Sequence, residues 1–179
     1  MSDSHPTVAI FGGSFNPPQI GHLNALKFIA KNISCDAIWV MPSSARRDKK
    51  ITVSGEHRLQ MVKHMVSEAS IKNVDVRVSE FELKQTWLTT TIETKEALQH
   101  LYPNCKFIFV TGTDVIRDIK AKWHRGQEVA QTTHFVFLQR AGVPKNWTDE
   151  MLPYYFQILE TNGETPVASS TDVREALAT

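Results

Sequence analysis

The feature that most constrains this chain is the alternation of short apolar runs with longer amphipathic stretches. Residues 7–11 (TVAIF), 37–41 (AIWVM), 74–78, 106–111 (KFIFVT) and 134–138 (HFVFL) have the length and the β-branched or aromatic content of strands. Between them, residues 21–31 place Leu23, Leu26, Ile29 and Ala30 at helical spacing. Residues 54–69 do the same with Leu59, Met61, Val62, Met65 and Val66, behind Ser54 as the N-cap. Residues 91–101, 114–121 and 126–130 read as further helices, and residues 170–178 (STDVREALA) as a last one, capped by Ser169 or Ser170. Strands separated by helices make right-handed βαβ units and a mainly parallel sheet, with ligands gathered at the strands' carboxyl ends. The expected fold is therefore α/β, a doubly wound sheet of five or six strands. Residues 141–165 are the least regular stretch, and no element is assigned there.

Composition narrows the function classes. A length of 179 residues suits one compact domain, read here as residues 1–179. Hydrophobic residues make up 41% and charged residues 22%, ordinary for a soluble globular chain. The formal net charge of +1 supplies no global field for nucleic acid or an anionic membrane, so any anionic ligand must be recognised by local groups. Cys35 and Cys105 lie far apart and form no CxxC motif, which suits a reduced compartment. Residues 1–7 are polar, without the apolar core of a signal peptide, and no run approaches the roughly 18 apolar residues that span a bilayer. A cytoplasmic location is expected.

Three segments carry candidate chemistry. The first strand runs directly into GGSFNPPQIGH, residues 12–22. Glycines let backbone approach a phosphate, and a helix starting at the end of such a loop offers its positive N-terminus. His22 falls in the first turn of that helix, beside Gly21, where it can donate to a phosphate oxygen. The plain alternative is a glycine-rich turn with a surface histidine. Near the end of the chain, Ser169, Ser170, Thr171, Asp172 and Arg174 combine hydroxyls, a helix start and a guanidinium, in outline an anion site. The alternative there is a simple cap with an exposed arginine. The third segment is the charged run Arg46-Arg47-Asp48-Lys49-Lys50. Such a run is usually a solvated loop, but this one follows a strand's carboxyl end.

The pair GGSFNPPQIGHL and SSTDVREAL, at opposite ends of the chain, resembles the nucleotidylyltransferase superfamily, with its GxFxPxHxGH-type loop and late SSTxxR-type motif. Within it the chain is similar to the bacterial nicotinate-nucleotide adenylyltransferases, over nearly its whole length. The resemblance implies a single Rossmann-like domain and an enzyme that moves AMP from ATP to nicotinate mononucleotide. It implies that His22 contacts ATP phosphates and that Gly13, Ser14 and Phe15 wrap the nucleotide, with Gln19 and Gly21 in the same loop. Lys49 is implied as a phosphate contact, and Ser170, Thr171 and Arg174 as the holders of the β- and γ-phosphates. His22, Lys49 and Arg174 are thereby the catalytic candidates. Gly112 and Asp114 match a GxD element near the nucleotide sugar. Asn16, Thr91 and Trp123 are implied on the acceptor side, Trp123 against the pyridine ring. The chain departs from the pattern where Gln19 replaces a histidine or threonine, where the PPHK-like segment has lost its prolines and histidine, and where Thr90 replaces a tyrosine.

The implied chemistry needs no serine or cysteine nucleophile, because the acceptor's phosphate oxygen is already anionic. Positioning and charge stabilisation do the work. Mg²⁺ is expected to arrive with ATP, since no carboxylate cage is visible and no protein-held metal is expected. His57 and His64, two turns apart on one helix, lack further ligands for zinc. Trp39 reads as core, whereas Trp87 and Trp147 are open. Other readings are the same chemistry on nicotinamide mononucleotide or phosphopantetheine, and an inactive nucleotide-binding sensor. A homo-oligomer stays open.

Overall fold

The computed structural model describes residues 5–44, 51–85 and 89–164. Six parallel strands form one sheet: β1 (Thr7–Gly13), β2 (Ala37–Pro42), β3 (Asp75–Val78), β4 (Lys106–Gly112), β5 (His134–Gln139) and β6 (Tyr155–Glu160). Their order across the sheet is β3-β2-β1-β4-β5-β6, the doubly wound order of a Rossmann-like fold. The helices are α1 (Ile20–Asn32), α2 (Gly55–Ala69), α3 (Thr91–Leu101), α4 (Ile116–Lys122) and α5 (Gly126–Thr132).

Period-two alternation divides the strand side chains between two cores. Ala9, Phe11, Ile38, Val40, Val110, Val136 and Leu138 pack with α1 and α2 through Leu26, Ile29, Val62 and Met65. Val8, Ile10, Met41, Phe107, Phe109, Phe135 and Phe137 pack on the other face with α3, α4 and α5 through Ile92, Leu98, Ile116, Ile119 and Val129. Because both faces are covered, the central strands read as continuous apolar runs. That is why β1, β2, β4 and β5 are legible from sequence, whereas β3, at the sheet edge, shows itself by the alternation of Val76 and Val78 with exposed Asp75 and Arg77.

The sixth strand falls inside the stretch that reads as irregular. Among the described residues it is an edge strand paired only with β5, and Tyr155, Phe156 and Gln157 are exposed. Only Ile158 and Leu159 reach the cores, so neither an apolar run nor a clean alternation marks it. Ser54 caps α2 as expected, its hydroxyl accepting from the His57 N–H at 3.3 Å. The expected helix over 170–178 and Trp87 lie outside the described residues. Trp39 packs in the second core against Tyr102 and Phe107. Trp147, left open by the sequence, is buried in the same core.

Candidate functional site

The parallel register sets Gly13 two residues beyond the last rung between β1 and β4, Phe11 opposite Val110, while Gly112 stands opposite Leu138. The carboxyl ends of β1, β4 and β5 therefore finish at nearly the same height. The chain leaves β1 through α1 toward β2 on one side, and reaches β4 through α3 on the other. The crevice between β1 and β4 is thus the point where strand order reverses, the usual ligand position in open α/β sheets.

Residues 14–19 bridge β1 and α1 across this crevice. Phe15 has φ +43°, a left-handed conformation that bulky residues rarely take, and the Asn16–Pro17 peptide is cis. Phe15 is fully buried. Its ring meets Phe11 edge-on at 5.8 Å and His22 at 4.9 Å between centroids. The same ring explains Gly13: a Cβ there would sit 3.2 Å from it.

Gln19 is the N-cap of α1 and forms a capping-box pair with His22 at the third helical position. The backbone N–H of Gln19 donates to His22 Nδ1 at 3.1 Å. An Nδ1 that accepts carries no proton, so the ring proton sits on Nε2 and the imidazole is neutral. Burial and then the nearby positive charge of Arg140 push the His22 pKa down from 6.5 to about 4. The Nδ1 hydrogen bond and burial both keep His22 uncharged at neutral pH, with its proton on Nε2.

The loop is gripped from α2. Asn16 is buried, and its Oδ1 accepts from the Val53 N–H at 3.2 Å. Arg58, only 3% exposed, donates from Nη1 to the Ser14 carbonyl at 2.7 Å and from Nε to the Val53 carbonyl at 3.3 Å. Burial lowers the pKa of its guanidinium. At β4's end, Gly112 leaves room for the Asp114 carboxylate, which a Cβ at 112 would strike. Thr113 Oγ1 donates to Gln139 Oε1 at 2.8 Å, tying this turn to β5. Ser44, at the end of β2, shares a 2.9 Å hydrogen bond with Thr89, just before α3. Thr90 caps that helix through Glu93, and Thr91 is its first residue.

The structure thus brings Gly13, Ser14, Phe15, Asn16, Gln19, Gly21 and His22 into one braced loop. It sets Gly112 and Asp114 at the neighbouring strand end. Trp123 closes α4 and packs edge-on against Phe135, the second residue of β5. Lys49, Ser170, Thr171 and Arg174 lie outside the described residues. Among the described residues, no group of three or more His, Cys, Asp or Glu side chains is placed to hold a metal ion. His57 Nδ1 instead lies 3.0 Å from the Ser54 hydroxyl.

Sequence reasoning passed over Arg58 and Arg140. Arg58 stands four residues before Val62 and seven before Met65, on the buried face of α2. A charged residue in register with an apolar stripe was the available signal. Arg140 directly follows β5, the strand-end position at which ligands collect.

Comparison with known proteins agrees with this fold. The cytidylyltransferase-like family model matches residues 10–176, and the chain belongs to that family. Among its relatives, a probable nicotinate-nucleotide adenylyltransferase of Leptospira interrogans is 34% identical over 173 residues, covering 93% of this chain and 83% of the relative. One of Salinibacter ruber, with the same description, is 30% identical over 145 residues, covering 80% and 72%. In fold, the chain is similar to a Plasmodium falciparum nicotinic acid mononucleotide adenylyltransferase complexed with NaAD. The TM-score is 0.81 at 24% identity, over 96% of this chain and 83% of the other.

Proposed function

We propose that this chain is an adenylyltransferase that transfers AMP from ATP to nicotinate mononucleotide, releasing pyrophosphate and forming deamido-NAD. The observation that carries the reading is His22, a neutral imidazole fixed at the start of α1 with its only ring proton on Nε2. It stands at the crevice where β1 and β4 diverge. In this reading a phosphate oxygen of the acceptor attacks the α-phosphorus of ATP. The bond from that phosphorus to the α,β-bridging oxygen breaks, and pyrophosphate leaves with the electron pair. His22 Nε2–H donates to the phosphate oxygens on which charge grows, without giving up its proton. Gly13, Ser14 and Phe15 wrap the nucleotide, with Gln19 and Gly21 shaping the turn. Gly112 and Asp114 face its sugar.

Lys49, Ser170, Thr171 and Arg174 are assigned to the departing pyrophosphate, and Asn16, Thr91 and Trp123 to the acceptor. For Asn16 the assignment works through the loop, since its Oδ1 is already bonded to the Val53 N–H. The substrate is MgATP, the metal entering with the nucleotide. Residues 1–179 are read as one nucleotidylyltransferase domain. Among the described residues no helix is long and apolar enough to cross a membrane; a cytoplasmic location belongs to the proposal.

The test is pyrophosphate release from MgATP with nicotinate mononucleotide, nicotinamide mononucleotide and phosphopantetheine in turn. Release is expected with nicotinate mononucleotide, with His22→Ala reducing kcat by about 100-fold or more, the usual effect of losing one charge-stabilising donor. ATP binding with no release for any acceptor would favour a sensor and defeat the reading.

A further inference from the structure

Arg58 is a buried cation whose hydrogen bonds, among the described residues, go to two neutral carbonyls, those of Ser14 and Val53. No carboxylate among the described residues forms an ion pair with it. Burying a charge against neutral acceptors is costly, and an apolar side chain is usually the more stable occupant of a purely structural position. The neighbourhood shows what the cost sustains. Arg58 reaches across from α2 to the residue just before Phe15, whose left-handed backbone at φ +43° stores strain of order 1–3 kcal/mol. Its Nη1 bond to Ser14 O, at 2.7 Å, has the short length of a charge-assisted bond. Asn16, on the other side of Phe15, is tied to the same short stretch of chain through Val53.

The peptide between Ser14 and Phe15 is planar and trans, so its C=O and N–H point in opposite directions. With the Ser14 carbonyl drawn toward Arg58, the Phe15 N–H is turned away from α2. Among the described residues, no acceptor takes that N–H. We infer that Arg58 is a positioning residue of the nucleotide site: it locks the Ser14–Phe15 peptide so that the Phe15 N–H faces a phosphate oxygen of ATP. The inference rests on the adenylyltransferase reading for the reaction, but not for ATP binding.

The experiment compares wild type, Arg58→Met and Arg58→Lys by calorimetric titration with MgATP and by steady-state kinetics with nicotinate mononucleotide. Rates are expressed per folded molecule, with folding followed by circular dichroism well below the unfolding temperature. Arg58→Met is expected to bind MgATP about tenfold more weakly and to lose about 100-fold in kcat, while KM for the acceptor changes less than about threefold. Arg58→Lys keeps the charge but cannot span both carbonyls, and is expected to lose about tenfold in kcat. A role confined to stability would lower the melting temperature and leave both quantities unchanged per folded molecule, which overturns the inference. If Arg58→Met does not fold, wild-type kcat and MgATP affinity in Arg58→Lys overturn it alone. A wild type that binds MgATP but does not turn over defeats the functional reading instead, and Arg58 is then judged by MgATP affinity.

Discussion

The face of the sheet under α3, α4 and α5 is held by rings: Phe109, Phe135 and Phe137 lie in a row of contacts, with Trp123 and Trp147 beside them. The face under α1 and α2 is apolar lower down, through Phe11, Leu26 and Val62. At its upper end it changes to polar grips, where Arg58, Asn16 and the Gln19–His22 pair hold a strained loop. Apolar packing is non-directional, so the first face supplies cohesion and tolerates small shifts. Hydrogen bonds to backbone carbonyls and amides are directional, so the second fixes where N–H groups point. Substitutions on the two faces should therefore fail in different ways.

The largest effect expected is on the ring face. Phe137 is fully buried, and Phe137→Ala should destabilise the fold by about 3–5 kcal/mol, lowering the melting temperature by roughly 10 °C. Thermal unfolding measures this, and kcat per folded molecule should stay within about twofold of wild type. A large loss of kcat in folded Phe137→Ala would break the comparison.

Gly112→Ala works at the crevice. The new Cβ would meet the Asp114 carboxylate, so Asp114 must turn, and KM for ATP should rise about tenfold, the effect of roughly one displaced hydrogen bond. The melting temperature should barely change. An unaltered KM would remove Asp114 from the nucleotide site.

The third prediction concerns pH. His22 is neutral in the folded protein down to about pH 4, so activity should show no histidine limb near 6.5 from this residue. In the unfolded chain the same residue takes up its proton near 6.5. The stabilising contribution of neutral His22 is thus complete above that value and is lost as pH falls through the window from 6.5 to about 4. Denaturant melts of wild type and His22→Asn across this range should differ in slope, the variant falling less steeply; identical slopes would show that His22 titrates normally. The smallest effect is Ser54→Ala, which removes the cap of α2. It should cost about 1 kcal/mol by denaturant melt and slightly loosen the segment from which α2 grips the loop.

Much of this is visible in the sequence. The four central strands are apolar runs, β3 shows an apolar/polar alternation, and the glycines and histidine of residues 12–22 mark the loop. Arg58 was hidden because charge on a helix is ordinarily solvent-facing, and only the register of Val62 and Met65 placed it inside. In the linear motif Gln19 is a departure, standing where the pattern has a histidine or threonine. The folded chain makes it the cap whose N–H sets the tautomer of His22. The sixth strand escaped because an edge strand with exposed Tyr155 and Phe156 has no buried pattern to display.

The order of apolar runs and turns by itself determined the layered α/β architecture, because periodicity of burial is a local property of the chain. It also pointed to an anion as the ligand class, since glycines before a helix start let backbone approach a phosphate at the helix's positive end. Tertiary structure alone decided how the site is held: which carbonyl Arg58 binds, which proton His22 keeps, and where Trp123 packs. The grip of Arg58 joins residues far apart in sequence, 44 positions from Ser14, and the burial that keeps His22 neutral likewise exists only in the packed fold. No local pattern encodes a distance of that kind.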